Sequence, residues 1–220
     1  MASWTFRTFS PWGCSPLKRN ALNSRFRRVK LVVFDVDGVL TDGTVFLTPA
    51  GKEMKAFNVL DGAGIKYLER GGIAAAILSG RRASAVNHRA RELGIAYVLQ
   101  GCKRKLEGLD QLAKRAKVPL DAVCFVGDDL PDIPVMRKVG LAVAVAGARP
   151  EVKSAAHWVT QTGGGHGAAR EVAERILKVQ GKWTRSTGSG QDGIMARYRP
   201  DSRGAPARRE PLGRTTGGRR

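Results

Sequence analysis

Short apolar or β-branched runs recur along the middle of this chain, separated by stretches in which apolar residues return at helical spacing. Six runs stand out, at residues 30–35 (KLVVFD), 73–78 (IAAAIL), 96–99 (AYVL), 122–126 (AVCFV), 141–145 (LAVAV) and 157–159 (HWV). Such runs, lacking the polar alternation of a half-exposed strand, predict strands covered on both faces. Val86, Ala90 and Leu93 share one helical face, as do Leu106, Leu109 and Ala113, and later Val172, Ile176 and Val179. The alternation of the two signals predicts an α/β fold, a Rossmann-like parallel sheet with helices on both faces.

Residues 44–57 break the rhythm. Val45, Phe46 and Leu47, the turn Thr48-Pro49-Ala50-Gly51, and then residues 53–57 read as a β-hairpin directly after the first strand. Beyond Gly181 the chain shifts to Arg, Gly, Ser, Thr and Pro, a composition that cannot offset the entropy of ordering. The pattern therefore divides the chain into a basic, disordered extension at 1–28, one domain at 29–183, and a disordered Arg/Gly-rich tail at 184–220.

The 220 residues suffice for one such domain, and their formal net charge of +19 would by itself suggest a nucleic-acid or membrane-surface partner. Its distribution argues otherwise. Residues 1–28 hold six basic and no acidic groups and residues 181–220 ten against three, whereas residues 29–180 hold 22 against 16. The middle also lacks an RNA motif or an aromatic stacking platform, so no specific nucleic acid is expected and a nucleic-acid-binding protein is the remote alternative. Cys14, Cys102 and Cys124 include no CxxC pair, which argues against a disulfide framework or a zinc site. The longest apolar stretches fall far short of the ~20 residues that span a membrane. The first 28 residues share their basic, acid-free composition with organellar transit peptides but lack the apolar stretch of a secretory signal. The expectation is a soluble, cytoplasmic protein without a membrane partner.

The first strand runs into Asp35-Val36-Asp37-Gly38, placing two carboxylates at the C-terminal edge of a buried strand, where open parallel sheets bind ligands. Acids gathered there need a compensating cation, and Mg²⁺ is the usual partner of hard oxygen ligands. The fourth strand repeats the device with Gly127-Asp128-Asp129 and Asp132, which a doubly wound sheet would set opposite Asp35 and Asp37. Ser79-Gly80-Arg81 ends the second strand with a hydroxyl, a free amide and a guanidinium suited to phosphate. Lys103-Arg104-Lys105 opens the helix after the third.

In this order, the motifs resemble the four motifs of the haloacid dehalogenase superfamily. More closely, residues 35–43 (DVDGVLTDG), 55–65 (KAFNVLDGAGI), 79–81, 100–106, 126–136 (VGDDLPDIPVM), 139–146 and 164–172 are similar to its capless phosphatases of 3-deoxy-D-manno-octulosonate 8-phosphate. The resemblance implies Asp35 as a nucleophile that forms an aspartyl phosphate, Asp37 as general acid and base, and Mg²⁺ on Asp35, Asp128 and the Asp37 carbonyl. It implies Ser79, Gly80 and Lys105 as the phosphate cradle. It leaves Asp129 and Asp132 open between orienting Lys105 and orienting a metal-bound water. Sugar contacts are implied for Asn58, Val59, Leu60, Asp61, Gly62, Lys66, Arg81 and Arg89, with Lys66 and His166 standing where arginine is familiar. The implied substrate is a small sugar acid phosphate consumed in lipopolysaccharide precursor synthesis, with a nonulosonate 9-phosphate as the alternative. The hairpin leaves no room for a cap domain, which implies a homotetramer whose neighbouring subunits roof each site.

Overall fold

The computed structural model describes residues 16–188. Six parallel strands form one sheet in the order β5-β4-β1-β6-β7-β8: β1 (Leu31–Phe34), β4 (Ala74–Ser79), β5 (Tyr97–Gln100), β6 (Val123–Gly127), β7 (Leu141–Ala144) and β8 (Trp158–Val159). All six runs read from the sequence are strands. Every residue of β1, β6 and β7 is buried, as their unbroken apolar character requires. β1 lies at the centre, with Leu31 opposite both Ala74 of β4 and Val123 of β6. The strand order reverses direction there, so the C-terminal ends of β1, β4 and β6 open into one crevice.

Two helical layers cover the sheet. α2 (Val59–Arg70) packs along α7 (Ala168–Val179), with α1 (Pro16–Arg28) and α8 (Trp183–Thr187) against them. α4 (Lys105–Ala116), α5 (Ile133–Met136) and α6 (Pro150–Ala155) make the other layer. α3 (Ser84–Leu93) buries Val86, Ala90 and Leu93, and α7 buries Val172 and Ile176. Between β1 and α2 only the hairpin intervenes, β2 (Phe46–Leu47) against β3 (Glu53–Met54), so no cap domain is inserted there. Both residues of β2 are exposed, leaving Phe46 and Leu47 in solvent beside Val45 and Met54.

The limits of the ordered unit differ from those expected. Residues 16–28 form α1 rather than a disordered segment, and Phe26 is fully buried, edge-on to Trp158 at 5.5 Å and beneath the Arg175 guanidinium at 5.6 Å. Arg25 donates to the Gly140 carbonyl at 2.7 Å, and Gln180 donates to the carbonyls of Phe26 and Val29. Composition hid this because one aromatic residue and a few backbone bonds do the anchoring in an otherwise basic stretch. At the other end α8 continues to Thr187 and buries Ser186. The expected disorder at 1–15 and 189–220 lies outside the described residues. Replacing Phe26 with alanine is expected to cost about 3–5 kcal/mol of unfolding free energy, as for other buried aromatics. Urea unfolding measures it, and a loss below about 1 kcal/mol would mean that α1 is no part of the cooperative unit.

Candidate active site

Asp35 follows β1 directly, held to the neighbouring strand by its amide, which donates to the Val126 carbonyl at 3.0 Å. Gly38 then turns the chain at φ +81°, and a Cβ at that position would come within 2.1 Å of the Asp128 carboxylate. Glycine thus lets the β1 loop approach the β6 loop closely enough for their acids to share one space. Gly164 has a similar duty, since a Cβ there would overlap the Gly38 carbonyl at 1.7 Å, and the Gly165 amide donates to the Val39 carbonyl at 3.0 Å. The glycine-rich loop after β8 is therefore the floor on which the β1 loop rests.

Lys105, the first residue of α4, crosses to the end of β1 and donates to Asp35 Oδ2 and Asp132 Oδ1, each at 2.7 Å, with all three side chains at most 8% exposed. The other oxygen of Asp132 accepts from the amides of Asp128 at 3.0 Å and Asp129 at 3.2 Å. Asp132 thus holds Lys105 and ties it to the Asp128 loop, an arrangement that fits the first of the two roles left open for this residue. Asp129 caps the short 3₁₀ turn Leu130–Asp132, in which it and Asp132 each accept the other's amide.

Burial pushes the Asp35 carboxyl up to about 6; Lys105 pulls it down and Asp132 raises it. Burial, reinforced by Asp35 and Asp132, pushes Asp128 up to about 7. Burial alone would lower the Lys105 ammonium, but its two carboxylate partners outweigh this and raise it. One lysine thus faces a cluster of acids, and Asp128 Oδ1 is buried with no hydrogen-bond partner. Oxygens of Asp35, Asp128 and Asp132 lie within 4.8 Å of one another. An orphaned carboxylate oxygen beside further carboxylates is a donor set for a hard divalent cation, and Asp35, Asp128 and Asp132 are the side chains gathered closely enough to hold one, Asp128 through its unpartnered oxygen.

Asp35, Lys105 and Asp128 line a cleft of about 500 Å³ together with Asp37, Gly80 and Arg81, while Asp132 lies buried behind it. Ser79 is buried at the end of β4, and its hydroxyl accepts from the Arg81 amide at 3.2 Å while keeping its own proton to donate. Arg81 reaches back to Glu53 at 2.8 Å and lies 3.9 Å from Asp37 Oδ2. Asp37 Oδ1 accepts from Lys55, which also pairs with Glu53 at 2.6 Å. The sequence reading missed Lys55 and Glu53 as site residues. The available signal was their spacing, opposite charges two positions apart and so on one face of the second hairpin strand. A second hollow of similar volume, lined by Arg82, Ala83, Ser84, Asn87, Val98, Leu99 and Gln100, contains no acid.

The remaining expected sugar contacts lie apart from this cleft. Asn58 caps α2, its Oδ1 accepting from the Leu60 amide at 2.7 Å while its Nδ2 donates to the Gly165 carbonyl at 3.2 Å. Asp61 is buried and accepts from the amides of Gly167 and Arg170, so it caps α7 from α2. Arg89 is held by Glu92 and donates to the Asn58 carbonyl, and Gly62 is buried beside it. Asn58, Asp61, Gly62 and Arg89 line a separate small pocket with Leu40, Phe57 and Ile65. The NVLDG segment thus joins α2, α7 and the glycine-rich loop. Val59, Leu60 and Lys66 are exposed on α2, and His166 is exposed on the glycine-rich loop.

A model of the haloacid dehalogenase-like hydrolases matches residues 98–172. The chain is 44% identical over 164 residues to the 3-deoxy-D-manno-octulosonate 8-phosphate phosphatase of Yersinia pestis, a match covering 74% of this chain and 88% of that one. With the enzyme of that name from Escherichia coli K12 it shares 43% identity over 165 residues, or 75% and 88% of the two chains. Among solved structures, the 3-deoxy-D-manno-octulosonate 8-phosphate phosphatase of Moraxella catarrhalis, in complex with magnesium ion, phosphate ion and the sugar acid, superposes with a TM-score of 0.75 at 37% identity, covering 78% of this chain and 99% of that one. With its acid-lined crevice at the centre of a capless parallel sheet, this chain belongs to the haloacid dehalogenase-like hydrolases and, within them, to the family of the 3-deoxy-D-manno-octulosonate 8-phosphate phosphatases.

Proposed function

We propose that the chain hydrolyses 3-deoxy-D-manno-octulosonate 8-phosphate to the free sugar acid and phosphate, with Asp35 as nucleophile. The observation that carries this reading is the convergence of Asp35, Lys105, Asp128 and Asp37 on one crevice at the ends of neighbouring strands. Lys105 holds one oxygen of Asp35 and leaves the other to attack phosphorus. The bond from phosphorus to the sugar oxygen breaks as the aspartyl phosphate forms, and Asp37 gives its proton to the leaving alkoxide. Asp37 then takes a proton from the water that hydrolyses the aspartyl phosphate. Ser79, the Gly80 amide and Lys105 hold the phosphoryl oxygens, where fixed donors stabilise the charge spread in the transition state. Asp35, Asp128 and the Asp37 carbonyl would hold a Mg²⁺, whose charge would offset the repulsion between the Asp35 carboxylate and the phosphate dianion. The named relatives favour this substrate over a nonulosonate 9-phosphate, and the acid-lined cleft does not suit a nucleic-acid platform.

The exposed apolar hairpin supports a homotetramer. Phe46 and Met54 are about half exposed and Leu47 65%, with Val59 at 79% and Leu60 at 57% at the tip of α2. A strip of this kind on a chain with no lid fits a subunit contact that roofs the cleft, where Lys66 and the NVLDG tip of one subunit would meet the sugar in the next. No helix among the described residues is long and apolar enough to cross a membrane, and the proposed compartment is the cytoplasm.

A panel of keto-sugar acid phosphates, assayed for phosphate release with and without Mg²⁺, tests the substrate; turnover should be fastest with the 3-deoxy-octulosonate ester and depend on the metal. Asp35→Asn is expected to abolish turnover while circular dichroism stays unchanged, and activity above about a hundredth of wild type would count against the covalent route. Replacing Val45 and Leu47 with aspartate should dissociate the assembly and lower kcat/KM for the sugar acid phosphate far more than for a small aryl phosphate. Light scattering beside kinetics reads this, and a fully active monomer would refute the shared roof.

Asp128 has the opposite pH behaviour from most carboxylates. Burial and its acidic neighbours push its pKa up to about 7 in the folded chain, above the 3.8 of a free aspartate, so in metal-free protein its stabilising contribution is fully present below pH ~4 and lost as pH rises through about 7. The stability difference between wild type and Asp128→Asn should therefore shift against wild type between pH 5 and pH 8 when measured by thermal unfolding in EDTA. Millimolar Mg²⁺ should recover the loss at pH 8 in wild type and have no effect on the variant.

A further inference from the structure

Four charged side chains close a ring above the crevice, and the proposed mechanism uses only one of them. Lys55, its side chain 2% exposed, donates to Asp37 Oδ1 and pairs with Glu53; Glu53 pairs with Arg81; and Arg81 returns to within 3.9 Å of Asp37 Oδ2. A buried lysine is seldom retained without a compensating role, because removing the ammonium from water is costly. Here both its partners are carboxylates, and one of them is the group expected to transfer the proton. Lys55 and Glu53 come from the hairpin, and Asp37 from the loop after β1.

We infer that Lys55 is a positioning residue for proton transfer: by occupying Oδ1 of Asp37, it directs the transferable proton to Oδ2, the oxygen on the Arg81 side, and fixes the plane of the carboxyl. An oxygen that accepts from an ammonium is the less basic of the two and the poorer place for the acid proton, so the bond favours Oδ2 as the reacting oxygen as well as fixing the rotamer. Glu53 offsets the ammonium, so Asp37 faces a closely neutralised ion pair rather than a bare cation. The hairpin therefore reaches the reacting centre through one side chain, in addition to its apolar outer face. This inference rests on the reading of Asp37 as general acid, and the experiment separates failure of the two.

The test compares kcat/KM for two aryl esters of similar size, 4-nitrophenyl phosphate and phenyl phosphate, because this ratio covers only the steps through phosphoenzyme formation. Phenolate leaves poorly and needs the proton; 4-nitrophenolate leaves well and needs it little. Lys55→Met should lower the phenyl phosphate value about a hundredfold and the 4-nitrophenyl value less than about tenfold. Lys55→Arg, which keeps a cationic donor, should recover most of the phenyl phosphate rate. Equal losses on both esters would make Lys55 merely structural and overturn the inference, as would no loss on either. Asp37→Asn, assayed alongside, should show the same selective loss; if it does not, the general-acid reading itself falls, independently of Lys55. Circular dichroism melts accompany each variant, and Lys55→Gln replaces Lys55→Met in the comparison if the methionine variant does not fold.

Discussion

The structure depends on one electrostatic constraint: carboxylates brought together at the buried ends of neighbouring strands need positive charge. Lys105 supplies it among the side chains, and it reaches Asp35 only because α4 begins where β5 ends and points its first residue across β4 toward β1. Asp132 then completes the arrangement by holding Lys105 with one oxygen and the amides of Asp128 and Asp129 with the other. The orphaned oxygen of Asp128 and the raised pKa values of Asp35 and Asp128 leave the cluster short of one more cation. A metal completes the charge balance that the fold alone leaves unfinished.

Around this centre the supports fall into two kinds. Close backbone contacts fix the β1 loop: Gly164 lies against the Gly38 carbonyl, and Gly38 makes room for Asp128. The α2 junction is fixed by side-chain caps, with Asn58 bonding both its own helix and the glycine-rich loop and Asp61 closing the start of α7. The hairpin differs from both. Its strands pair only with each other, its outer face is exposed, and it meets the loop after β1 through Lys55, while Glu53 pairs with Arg81 at the end of β4. In the proposed assembly this is the element through which a neighbouring subunit would influence Asp37, the proposed general acid.

Much of this was legible in the chain itself. The six apolar runs are all strands, and the pairs of acids that follow the first and fourth runs do meet. Asp132 was recognised as belonging to the site but not given a role, because either choice suited a carboxylate three residues after Asp129. The roles read for Asn58 and Asp61 depended on resemblance, although an asparagine just before a helix is also a cap signal. α1 was invisible to composition since its anchoring relies on Phe26 and on carbonyl bonds to residues more than a hundred positions away.

By itself the sequence determined the strand and helix periods, the parallel class of the sheet and the gathering of acids at the C-terminal ends of its central strands. These follow from local patterns: apolar runs covered on both faces, and glycine where a strand must turn at once. Only the tertiary structure decided which charge meets which, with Lys105 between Asp35 and Asp132, Lys55 at Asp37 and Asp61 at the start of α7. Such pairings depend on distances between elements far apart in the chain, and burial makes them matter by removing the water that would otherwise screen each charge separately.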